Sequence, residues 1–157
     1  FTLVELIVYV GLTAIIMGLF GGIMVTVVRI QSQQTSSRQV GEELAFVMNV
    51  IKRDVRDSVT LTIATTTLTI ATSSSSTDPI VIDSSSGIVR KSEAGGTAYP
   101  LTTDKVAADS LTFSNLSSGT SQAIRIVLTM SFASSTNPQK MFTQTLQATA
   151  APLKRTD

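Results

Sequence analysis

The sequence predicts an α+β protein: one long N-terminal helix followed by antiparallel β structure. Three observations carry that expectation. Residues 6–28 form an uncharged apolar run, a 3.6-residue apolar period follows it to Val59, and beyond Ser58 the period falls to two. The chain divides accordingly into an apolar helical segment (1–28), an amphipathic helix half (29–59) and a Ser/Thr-rich antiparallel β domain (60–157).

The apolar run comes first. As a helix, residues 6–28 would extend roughly 34 Å, enough for a hydrocarbon core of about 30 Å. Arg29 ends it, and Gln31, Ser32, Gln33 and Gln34 follow. A plain signal anchor has this pattern too, and three details argue against it. The sequence starts at Phe1 with no basic stretch ahead of the run, as expected of a processed product. Glu5 stands at the edge of the run, where a carboxylate is costly in a membrane and asks for a partner charge; its first-turn position also suits the helix dipole. Gly11, Gly18, Gly21 and Gly22 are many for an anchor, and Gly18 and Gly22 are spaced for close helix approach.

The segment FTLVEL, Phe1 to Leu6, with the apolar run behind it, resembles the start of mature type IV pilins and pseudopilins after prepilin peptidase has cut before the Phe. The resemblance covers residues 1–28 and fades beyond them. It implies that Phe1 carries an N-methylated amine and that Glu5 pairs with the Phe1 amine of a neighbouring subunit during assembly. It further implies a pilin-like fold, a helical homopolymer, residence in the inner membrane before assembly, and prepilin peptidase and pilus assembly machinery as partners. The family often has a Pro near the middle of this helix, and this chain has none. Because each Gly weakens a helix by about 1 kcal/mol relative to Ala, Gly18, Gly21 and Gly22 predict a weakened or unwound stretch over 16–22; close packing is the alternative use for them.

In the second helix half, Val40, Leu44, Val47, Ile51, Val55 and Val59 recur every three or four residues and need a sheet or helix to cover them. Glu42, Glu43, Lys52, Arg53, Asp54, Arg56 and Asp57 lie mostly off that stripe and read as a solvated face, with Arg53 and Asp57 spaced for an i, i+4 pair. A similarity of the Arg-Asp-Val-Arg ending to some minor pilins adds little.

Past Ser58, LTIAT occurs at 61–65 and again at 68–72, two strands joined by Thr66 and Thr67. Residues 73–77 read as a loop. Residues 80–83 and 88–91 form a second expected hairpin turning at 84–87, residues 93–109 read as surface loop, and 111–113 as a short strand. The strongest strand is 124–132, where Ile124, Ile126, Leu128, Met130 and Phe132 share one face and provide the natural cover for the helix stripe. A loop over 133–139 and a returning strand over 141–148 complete the domain, and the tail 149–157 carries no apolar pattern.

The chemistry that the sequence excludes is broad. With no Cys and no His there is no disulfide, no thiol nucleophile, no usual zinc site and no imidazole base. Ser–Lys and carboxylate combinations fall in no motif, so no enzyme activity, cofactor or metal is expected. Asp78, Asp83, Asp104 and Asp109 match no EF-hand spacing. A net charge of +1, with Arg90-Lys91 and Lys154-Arg155 as isolated basic pairs, gives no strong sign of nucleic-acid binding. The Ser tracts 73–76 and 84–86 read as loops, with O-linked sugars as the alternative.

The expected function is therefore structural: a major pilin of an extracellular type IV pilus. A minor pilin or type II secretion pseudopilin is the alternative within the family; a membrane-anchored adhesin or DNA receptor is the alternative outside it. The role of the filament in adhesion, motility, DNA uptake or secretion is open at this level.

Overall fold

The computed structural model describes residues 2–118, 122–133 and 142–153, with the side chain of Ser32 excepted. Helix α1 spans Leu3–Arg56, and strands β1 (Ser58–Ile63), β2 (Thr67–Thr72), β3 (Ile80–Ser85), β4 (Ile88–Glu93), β5 (Tyr99–Pro100), β6 (Val106–Asn115), β7 (Ile124–Phe132) and β8 (Thr143–Ala150) follow. This is the expected α+β order. The chain forms two compact units, residues 1–35 and residues 36–157.

Within the second unit, the helix buries one stripe. Val40, Leu44, Val47, Met48, Ile51 and Val55 are all nearly or fully inaccessible, while Phe46 on the opposite face is exposed. The stripe ends one residue set earlier than the sequence suggests. The helix stops at Arg56, and Val59 lies exposed in β1 rather than on the helix. The reason lies in the last turn, where the Ser58 hydroxyl donates to the Val55 carbonyl at 2.6 Å and the Leu153 N–H donates to the Arg56 carbonyl at 3.0 Å. Those donors satisfy carbonyls that would otherwise need a further helical turn.

The β region is two antiparallel sheets rather than one: β1-β2-β3-β4-β5 and β6-β7-β8. Their inner faces follow the strand period of two. Leu68 and Ile70, Ile80 and Ile82, and Val89 line the first sheet; Ile124, Ile126, Leu128 and Met130 line β7, and all of them join the helix stripe in one core. Strand β6 ties the sheets together. Its Ala108 N–H donates to the Gly87 carbonyl at 2.7 Å and its Phe113 N–H to the Thr65 carbonyl at 2.8 Å, so it meets the turns of both hairpins of the first sheet.

Those turns differ from the expected ones. The β1–β2 link falls at Ala64, Thr65 and Thr66, closed by an Ala64 N–H bond to the Thr67 carbonyl. The β3–β4 link is only Ser86 and Gly87, with φ of 53° and 76°, the pattern of a two-residue type I′ hairpin turn. The expected surface loop at 93–109 contains β5 and the start of β6, a ten-residue strand where 111–113 had been expected. Strand β8 occupies Thr143–Ala150, later than expected, and the predicted loop 133–139 lies almost wholly outside the described residues.

Residues 16–22 are regular α-helix in the single chain. Glycine raises the cost of a helical residue but keeps its N–H donor; proline would remove it. Gly18, Gly21 and Gly22 lower the helix propensity there without interrupting the ladder.

Candidate functional site

Two features of the chain are candidates for function: the surface of the first helical unit, and a buried charge cluster in the second.

In the first unit, the apolar side chains are uncovered. Leu3, Val4, Leu6, Ile7, Val8, Val10, Met17, Phe20 and Met24 are among those more than half exposed, and they point to every side of the helix. The helix is long and apolar enough to cross a membrane. Its threonines are reconciled with apolar surroundings by the backbone: Thr13 Oγ1 donates to the Tyr9 carbonyl at 2.7 Å and Thr26 Oγ1 to the Gly22 carbonyl at 3.0 Å.

The helix start explains part of Glu5. Thr2 occupies the capping position, and its Oγ1 accepts the Glu5 N–H at 3.4 Å, while the Thr2 carbonyl accepts the same N–H at 3.1 Å. Thr-x-x-Glu is the sequence of a capping box, in which the Glu side chain would return a bond to the Thr N–H. That return bond is not formed. The Glu5 carboxylate is exposed and engages no partner among the described residues. Phe1, its expected partner from a neighbouring copy, lies outside the described residues.

A Cβ added at Gly11, Gly18, Gly21 or Gly22 would meet nothing within 4 Å. Within the chain, then, no packing demands a glycine at these positions. Gly18 and Gly22 line an open groove with Leu19, Ile23, Thr26 and Val27. Apart from Thr26 its lining is apolar.

The proposed helix–sheet residues Val40, Leu44, Val47, Ile51, Val55, Ile124, Ile126 and Leu128 lie together in the core of the second unit. Met48 joins them, a residue the stripe reading passed over although it sits four residues after Leu44.

The charge cluster was not foreseen. Asp54, read from sequence as part of a solvated face, is 5% exposed, and Lys91, read as one of an isolated basic pair, is 4% exposed. Lys91 stands on the inner face of β4, opposite Ile82. Its Nζ lies 2.7 Å from Asp54 Oδ2 and 2.9 Å from Glu93 Oε1. Tyr99 Oη donates to Glu93 Oε1 at 3.0 Å, and Arg53 approaches Asp54 Oδ1 at 3.4 Å instead of forming the expected pair with Asp57. Burial alone would push the Lys91 ammonium down, but its close contacts with Asp54 and Glu93 and the Asp54 charge hold it above its ordinary value. Glu93 is held below the usual carboxylate range, chiefly by its bond from Lys91 and next by that from Tyr99.

The other charges are dispersed. Arg90 grips Asp83 with two bonds, Nε to Oδ1 at 3.0 Å and Nη2 to Oδ2 at 2.8 Å. Asp78 Oδ1 accepts from the Thr72 N–H at 2.9 Å, and Asp109 Oδ1 from the Ser131 hydroxyl at 2.8 Å. Among the described residues no three carboxylates converge as a metal-binding group. No family model, no curated protein and no solved structure matches this chain.

Proposed function

We propose that the chain is a subunit of a type IV pilus-like filament, whose apolar helices pack together in the filament core while the β domains form its surface. The observation that carries this reading is the first helical unit: apolar on every side, uncovered, and bearing at Glu5 a carboxylate with no partner among the described residues. The FTLVEL start supports the family. The α+β organisation, in which the second helix half is docked under antiparallel sheets, fits it as well.

In this reading the membrane solvates the apolar residues before assembly, and other copies of the helix replace it afterwards. Glu5 takes the Phe1 amine of a neighbour, and Gly18 and Gly22 let helices approach closely. In this reading the filament is extracellular and the chain is its major subunit.

The test is Glu5→Ala, expressed in cells that make the filament and viewed by negative-stain electron microscopy of sheared surface fractions. The variant is expected to accumulate in the membrane with few or no filaments. Filaments of normal number and shape would remove the role of Glu5. A wild-type chain that stays in the membrane fraction without ever polymerising would replace this reading with that of an anchored surface protein.

A further inference from the structure

We propose that Lys91 and Asp54 are the two ends of an intramolecular isopeptide bond, formed without an enzyme and with Glu93 as the proton relay. The inference stands on the buried cluster and is independent of the filament reading.

The geometry supplies an amine, an acceptor and a base at one point. Lys91 Nζ is 2.7 Å from Asp54 Oδ2, an oxygen of the carboxyl group whose carbon it would attack. Glu93 Oε1 lies 2.9 Å from the same nitrogen, and Tyr99 holds that oxygen through its own hydroxyl. Water is kept away from the reacting pair, because both Asp54 and Lys91 sit against the core that contains Ile51, Val55, Ile82 and Val89. Lys91 is the buried lysine among the described residues. By contrast Arg90 and Asp83 are each about a third exposed, and a guanidinium is no nucleophile.

The contact is also an imperfect ion pair. Asp54 Oδ2 has no aligned hydrogen-bond partner although Nζ is so close. Two buried charges pay a desolvation penalty that a misaligned contact recovers poorly. An amide removes both charges.

The step balances without an added reactant. In the first, uphill step the Lys91 ammonium, which its neighbours favour, passes one proton to the Asp54 carboxylate, leaving a neutral amine and a neutral acid. Nζ attacks Cγ and the N–C bond forms. Glu93 takes a second proton from the nitrogen and returns it to the departing hydroxyl; the C–O bond breaks and water leaves. Ammonium plus carboxylate becomes amide plus water, and Glu93 ends as it began. The product fastens the end of α1 to β4 in a chain that has no cysteine for a disulfide.

Mass spectrometry of the full chain, purified in detergent and digested with trypsin, tests this. The expected product is a branched peptide joining residues 54–56 to residues 91–105, lighter than its two parts by one water, with cleavage after Lys91 lost. Finding only the separate peptides 54–56 and 92–105 from the folded wild-type chain would overturn the proposal. Glu93→Gln, checked for wild-type circular dichroism, is expected to lower the branched peptide at least tenfold. Unchanged branching in that variant would remove Glu93 as the relay. The primary reading is taken on the unaltered chain, so it does not depend on any variant folding.

Discussion

Ile51 and Phe46 lie on the same helix, and truncating each to Ala tests which face of it is structural. Ile51 is fully inaccessible, and Phe46 is 55% exposed. Ile51→Ala removes carbon equivalent to about three buried methylenes, or about 2.4 kcal/mol. A residual cavity of about 50 Å³ adds about 1.2 kcal/mol. The sum, about 3.6 kcal/mol, is a large share of the roughly 5–15 kcal/mol by which a domain is stable. For a unit of this size it corresponds to a fall in Tm of about 10–14 °C. Phe46→Ala deletes the larger side chain but is expected to cost no more than about 1 kcal/mol, because most of the ring is already in water. Calorimetry or circular dichroism melts of the full chain in detergent micelles would measure both. A Phe46→Ala melt that falls as far as that of Ile51→Ala would refute the assignment of faces.

Two further substitutions probe the helix surface and a turn. Gly22→Leu is expected to leave the melting temperature unchanged or slightly raised, since a Cβ there meets nothing and leucine is the better helix former. Filling the groove should nonetheless cut filament yield at least tenfold, and a normal yield by electron microscopy would show that the groove does not pack. Ser86→Asn places the preferred Asn-Gly pair in the β3–β4 turn, where both residues have positive φ. It should stabilise the chain by about 0.5 kcal/mol, read as a small upward shift of Tm; a loss of stability would contradict the turn type.

Much of this fold was legible in the sequence because it rests on periodicity. The stripe through Val40, Leu44, Val47, Ile51 and Val55, and the alternation of Ile124, Ile126, Leu128 and Met130, each repeat a signal over several turns or residues. Val59 was misplaced because a spacing of four residues continues the helical stripe while the chain has already turned into β1. Strand β6 was mostly missed because its alternation changes phase. Val106 and Ala108 face inward, a bulge intervenes between Ala108 and Ser110, and Leu111 and Phe113 then resume on the opposite parity. The cluster of Asp54, Lys91 and Glu93 left no local signal at all. Each charge reads as surface from its neighbours, and only the packing of α1 against β4 and β5 brings the three together. Sequence could have hinted at it through Val89 and Lys91, which alternate onto the same inward face.

The two halves of α1 face different physical problems, and the difference bears on how the first half is used. In the second half, residues 36–56, the apolar stripe is one-sided and the protein's own sheets cover it. In the first half the apolar surface runs all round, so something outside the chain must cover it. A lipid bilayer would suffice for Leu6 through Val28, but it solves nothing for Glu5. A carboxylate at the edge of hydrocarbon costs several kcal/mol unless it meets a cation, and none of the described residues supplies one. Half of a capping box accounts for Thr2 and for the Glu5 N–H, yet leaves the carboxylate without a partner among the described residues. In the filament proposed above, neighbouring copies would bring apolar surface to the sides of the helix and the Phe1 amine to Glu5. Glu5, rather than the length of the apolar run, is therefore the residue whose substitution distinguishes the proposed assembling helix from a plain anchor.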